Sequence, residues 1–153
     1  FVDYQNLSTF NGVQSHRFIF VQTAQALYNK GEKEKAVQLL DRMQETFPDR
    51  NFPLNSSAAV HYVNEWMVIN AIDLYIKCGE KEKGLDLADR FINETMDAII
   101  LFSKPFHGSV LSRSDLENNF QLYQDAVETV SLADTEKAQE YSKALEDFFN
   151  TAV

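Results

Sequence analysis

The sequence predicts an all-α fold of about six helices arranged as three antiparallel hairpins, and three observations predict it. The run Gly31-Glu-Lys-Glu-Lys-Ala-Val-Gln-Leu-Leu-Asp-Arg-Met43 returns 48 residues later as Gly79-Glu-Lys-Glu-Lys-Gly-Leu-Asp-Leu-Ala-Asp-Arg-Phe91, with eight of thirteen positions identical. An echo of that length marks a duplicated supersecondary unit. Apolar residues recur at helical spacing along the chain, and no two-residue alternation competes. The five glycines and three prolines are too few for a turn-rich β fold.

The elements follow in order. Residues 1–13 carry Phe1, Tyr4 and Phe10 without a usable period, and are expected as an extended lead-in packed on the first helix. The first hairpin occupies 14–48. Its first helix, Gln14 to Lys30, puts Phe20, Val21, Ala24, Leu27 and Tyr28 on one face. Gly31 is the expected left-handed residue after the helix, where a Cβ would be penalised. The second helix, Lys33 to Thr46, carries Ala36, Leu40, Met43 and Phe47, and Pro48 stops it.

Residues 48–55 read as a loop, with Asn55, Ser56 or Ser57 placed to cap the next helix. The second hairpin occupies 56–102. Its first helix, ending near Cys78, has two apolar stripes: Val60, Val63, Met67, Ala71 and Leu74, then Tyr62, Trp66, Ile69, Ile72 and Ile76. Apolar character on more than one face predicts a central, buried helix. After Gly79 a fourth helix carries Leu85, Ala88, Phe91, Ile92, Met96 and Ile99 to about Phe102. Lys104-Pro-Phe-His-Gly-Ser109 reads as a break. The third hairpin occupies 112–151, with Ser114 and Glu117 as a capping box for a fifth helix to Leu132. Asp134 caps the sixth.

Size and charge bound the function. A chain of 153 residues with 44% apolar content makes one domain with a core of its own. The net charge is −9, and residues 112–153 hold nine acidic side chains against three basic ones. Phosphate backbones require clustered Lys and Arg, so nucleic acid and anionic membrane surfaces are not expected partners. The richest apolar stretch, Val60 to Ile76, is interrupted by Asn64, Glu65, Asn70 and Asp73, which argues against a spanning helix. The opening Phe-Val-Asp-Tyr lacks an apolar leader and reads as a soluble domain cut from a longer polypeptide. The single cysteine, Cys78, rules out an internal disulfide and reads as a small packed residue at a helix end.

No catalytic, cofactor-binding or metal residue is assigned, and the fragment itself is not expected to be an enzyme. His16, His61 and His107 are far apart and lack the spacing of a zinc site. No nucleophile elbow or glycine-rich phosphate cradle is present. Glu32, Glu34, Glu80 and Glu82 alternate with lysines as solvated first turns favoured by the helix dipole. Asn6, Asn55 and Asn93 begin glycosylation-type triplets at about the number chance allows, and are read as accidents.

Counted from Gly31, the first hairpin resembles the tetratricopeptide (TPR) repeat of about 34 residues. Phe20, Ala24, Leu27, Ala36, Leu40 and Pro48 fall at its hallmark positions. The second copy departs from the pattern with Gly84 at the usual alanine and Met96 at the proline, and the third matches through Ala126, Ala133 and Ala138. A narrower resemblance rests on Val-Asp-Tyr-Gln-Asn-Leu, His16-Arg17-Phe18, the segment Ala26–Ala36, Glu-Thr-Phe-Pro and Asn51-Phe-Pro-Leu. It covers residues 1–100 and is to the C-terminal soluble domain of a bacterial multi-spanning membrane-protein family of unknown function, itself similar to GT-C-type protein O-mannosyltransferases.

That resemblance implies a non-catalytic interaction or scaffolding appendage on the periplasmic side of the inner membrane, with catalysis elsewhere in the polypeptide and a cytoplasmic location left open. It implies no cofactor, a protein partner (the parent membrane domain or another protein), no membrane insertion of this segment, and a monomer or weak dimer. The TPR pattern implies a groove lined by Phe18, Val21, Gln25 and Tyr28, then Trp66, Ile69, Asp73 and Ile76, and further along by Phe120, Tyr123, Val127 and Val130. Either the chain fills this groove itself, with the lead-in or the last hairpin, or a partner docks there with Trp66 as anchor. The alternative function is a glycan- or lipid-binding module using Tyr62, Trp66 and Tyr75.

Overall fold

Two glycines set the corners. Gly31 and Gly79 have φ of 81° and 96°, in the left-handed region that side chains disfavour. Each helix before them closes with the same pair of bonds. Gly31 N–H donates to Tyr28 O at 2.9 Å and Glu32 N–H to Leu27 O at 2.9 Å. Gly79 N–H donates to Ile76 O at 3.0 Å and Glu80 N–H to Tyr75 O at 2.9 Å. This is the Schellman closure, which satisfies carbonyls the helix end would leave bare.

The computed structural model describes residues 7–55, 65–103 and 110–152. Over these it holds six helices and no strand: α1 (Leu7–Asn29), α2 (Lys33–Thr46), α3 (Glu65–Cys78), α4 (Lys81–Ser103), α5 (Val110–Ser131) and α6 (Thr135–Ala152). No helix among the described residues is long and apolar enough to cross a membrane.

Three expectations about elements need correction or fall outside the description. The lead-in is not extended throughout, since α1 already begins at Leu7. Polar residues of residues 7–13 tolerate helix, and Val13 is drawn into the core. The capping box at Ser114 and Glu117 does not form at a helix start, because α5 begins at Val110 and both residues lie inside it. Glu117 instead pairs with Arg113 one turn back at 3.1 Å. The caps at Ser56 and Ser57, the stripe positions Val60, Tyr62 and Val63, and the break at 104–109 lie outside the described residues. Asp134 does cap α6, its Oδ1 accepting from Lys137 N–H at 3.1 Å.

Every helix packs on the next in sequence, α1 on α2, α2 on α3, α3 on α4, α4 on α5 most extensively, and α5 on α6. Phe20 meets Phe47 edge to face at 6.1 Å, while Tyr28 lies under the Lys33 ammonium at 5.7 Å. The middle of α1 thus faces the end of α2 while its last turn faces the start of α2, and the two run antiparallel. Tyr123 donates to Tyr141 O at 2.9 Å and Phe120 stacks on Phe149 at 4.8 Å, so α5 and α6 do the same. α1 and α3 lie side by side and point the same way: Phe18 at the middle of α1 meets Trp66 at the start of α3, and Tyr28 neighbours Lys77 near the ends of both.

The joints between pairs repeat. Asp41 on α2 accepts from Lys83 at 2.7 Å and from the Tyr75 hydroxyl at 2.9 Å. Asp89, its counterpart in the second copy, accepts from Lys137 and the Tyr141 hydroxyl. Lys83 and Lys137 each stand four residues after a corner residue, Gly79 and Ala133. The duplicated aspartates, each met by a lysine of the following helices, therefore hold one pair of helices to the next. Beneath them runs one continuous core, including Leu40, Tyr75, Phe91 and Ile99.

Candidate functional site

The expected groove residues separate into three groups. Val21 and Ile69 are core residues, only 2% and 9% exposed. α1 turns Val21 toward the shared core, and Ile69, packed into that core, still borders the opening between α3 and α5. Gln25, Tyr28, Asp73 and Ile76 are half-buried and already engaged. Gln25 donates to Asn29 at 2.9 Å, and Asp73 pairs with Lys77 at 2.5 Å. Ile76 packs on the core. Phe18 and Trp66 stay 40% and 45% exposed, edge to face with ring centroids 6.4 Å apart.

The last hairpin covers part of the face. α5 packs against α3 as well as α4, and Tyr123 and Val130 are buried. Of the expected third strip, Phe120 and Val127 are left partly exposed. What stays open is a cleft of about 380 Å³ between α3 and α5. Its apolar lining is Trp66, Ile69 and Leu132, and Leu132 is 69% exposed at the α5–α6 corner. An exposed Trp, Phe and Leu on one edge is the kind of surface that marks an interface.

A second polar centre had no sequence signal. Arg17 is buried in α1 and donates to three carbonyls: Pro53 at 2.9 Å, Phe52 at 2.5 Å and Phe47 at 3.1 Å. Glu94 on α4 accepts from Leu54 N–H at 2.7 Å and Asn55 N–H at 2.9 Å. One cation and one anion thus hold the backbone of the 48–55 loop from opposite sides. Burial pulls the Arg17 pKa down to about 10 against the nearby carboxylates Glu94, Asp49 and Glu65, which leaves it charged at neutral pH. Burial raises the Glu94 carboxyl above its ordinary range, more than the two backbone donors lower it. Arg90 spans Asp49 at 2.7 Å and Gln44 at 2.5 Å. Burial opposes its charge, but Asp49 and Asp86 outweigh that and raise its pKa.

The cavity beside Arg17 and Arg90 measures about 80 Å³, well under the roughly 300–1,000 Å³ of small-ligand sites. Tyr75 is fully buried, its hydroxyl bonded to Asp41 and Gln44. Nine residues separate it from Trp66, about 180° round a helix, so these two rings share no groove; Tyr62 lies outside the described residues. Asn55 Nδ2 donates to Thr95 at 3.0 Å and Asn119 at 2.8 Å, which occupies the atom a glycan would need. Cys78 is half-buried, and burial raises its thiol pKa. His16 bonds Gly12 O at 2.5 Å, and no group of three metal-ligating side chains gathers among the described residues. The chain matches no protein-family model, no curated protein and no solved structure.

Proposed function

We propose that this chain is a non-catalytic, TPR-like interaction domain whose docking edge is the Phe18–Trp66 pair and the cleft beside it. The carrying observation is that pair, held in edge-to-face contact at 6.4 Å while both rings remain exposed. A monomer gains little by leaving its only tryptophan on an apolar edge, whereas interfaces draw their largest anchors from such rings. The TPR-like reading is supported by the matched glycine corners, the side-by-side α1 and α3, and the recurring Asp–Lys joints. In this reading the domain is a scaffolding appendage of a glycosyltransferase-like membrane protein on its periplasmic side, and needs no cofactor.

The test is a photo-crosslinking residue at position 66 in the native cell, with exposed Gln139 on α6 as the control site. Adducts to another protein, or to a further segment of the same polypeptide, are expected at 66 and not at 139. Equal yields at the two positions would end this reading. Trp66→Ala should keep the helical circular dichroism and lose far less stability than the about 3–5 kcal/mol of a buried aromatic truncation. A variant that simply unfolds would show Trp66 to be core.

A further inference from the structure

Resting on that reading, we infer that the occupant of the α3–α5 cleft is a short amphipathic segment with an apolar anchor flanked by Lys or Arg. The cleft joins two kinds of surface. Trp66, Ile69 and Leu132 offer apolar contact, and Asp125 and Glu128 stand at the same opening. Among the described residues, no Lys, Arg or His lines it. Both carboxylates are left out of the ion pairs among the described residues. The Asp125 carboxylate accepts from the neutral Gln121 amide at 2.7 Å.

Asp125 and Glu128 on α5 and Leu132 just past its end follow one another at three- and four-residue steps, so they form one ridge. Asp125 to Leu132 spans about 10 Å at 1.5 Å per residue, the reach of two turns of a bound helix. A helix laid in a groove presents anchors at i, i+3, i+4 and i+7, which suits an apolar residue against Trp66 with cations one turn away over Asp125 and Glu128. The net charge of −9 draws such a segment in and repels an acidic one.

The lone tryptophan makes the test direct, because its fluorescence reports only from this cleft. Two synthetic helical peptides of about 14 residues, alike in their Leu and Phe positions and carrying either Lys or Glu elsewhere, are titrated into the chain at low salt. The Lys peptide should shift Trp66 emission to the blue and saturate, and the Glu peptide should not. Asp125→Asn with Glu128→Gln should weaken the Lys peptide about tenfold and flatten its salt dependence. Glu140→Gln with Glu146→Gln, two exposed acids on α6, should leave binding unchanged. Equal binding of both peptides, or equal losses in the two double variants, would overturn the basic occupant. If neither peptide binds while crosslinking at 66 still captures protein, this inference falls and the interaction reading stands. If crosslinking also fails, both fall.

Discussion

Arg17 shows how one side chain can decide the course of a loop. Its guanidinium is the donor for three carbonyls that leave regular structure at Phe47, Phe52 and Pro53, and a buried carbonyl without a donor is costly. Arg17→Met should lower unfolding stability by about 3 kcal/mol, read as a fall in urea midpoint with an unchanged slope. Glu94 is the counterpart on the other side. Its pKa is raised in the fold, so its contribution is fullest below the ordinary glutamate range and is lost as pH rises through the raised value. Stability of Glu94→Gln should therefore gain on the parent as pH climbs from about 4 toward neutrality. The opposite slope, measured by thermal melts across that window, would show that the loop amides and Arg17 outweigh burial. Gly84 settles a third case. A Cβ there would stand 2.9 Å from Ile76 Cγ1 and 3.2 Å from the Ile72 carbonyl oxygen. Alanine gains about 1 kcal/mol of helix propensity, but overpacking costs about 1–3. Gly84→Ala should lose, by about 1 kcal/mol.

At the scale of elements, the three corners differ in how they are closed. The first two use a left-handed glycine, and nothing lies within 4 Å of a Cβ built on Gly31. Gly31→Ala should therefore cost only the conformational penalty, about 1 kcal/mol, with the helices otherwise unchanged by amide exchange. The third corner has Ala133 instead. Its N–H donates to Val130 O at 2.9 Å, and Asp134 N–H returns to the same oxygen at 2.8 Å, so the turn tightens without any positive φ. Here the side chain of Asp134 carries the restart of α6, and Asp134→Ala should cost about 1 kcal/mol. A loss localised to α6 amides would distinguish this cap from a general weakening.

For the whole molecule, the proposed repeat reading predicts that stability is a sum of helix pairs and their interfaces. Asp89→Ala removes both the Lys137 and Tyr141 contacts. It should release the last hairpin at lower denaturant than the rest, by about 1–2 kcal/mol, visible as early loss of α5 and α6 exchange protection. A single cooperative transition shifted as one would contradict that additive picture. The open edge belongs to this scale too. Phe18 comes from α1, Trp66 from α3 and Leu132 from the α5–α6 corner, so the proposed docking surface requires that α1, α3 and α5 have already packed together.

The sequence by itself determined the helices and their corners. Helical spacing is local, and a glycine with positive φ or an aspartate at a helix start acts within a few residues. The echo of Gly31–Met43 at Gly79–Phe91 also announced the duplicated unit, and the small buried positions Ala36 and Gly84 follow from it. The capping box at Ser114 misled because an i,i+3 polar pair fits a helix interior as well as a helix start. Only the tertiary structure decided which apolar faces are spent on the core. Val21 and Phe18 are equally apolar in sequence, yet one is sealed between helices and the other stands beside Trp66 on the surface. It also decided the hold of Arg17 and Glu94 on the loop, whose partners lie 30 to 40 residues away. Contacts across that distance depend on how helices cross, and no periodicity along the chain encodes the crossing.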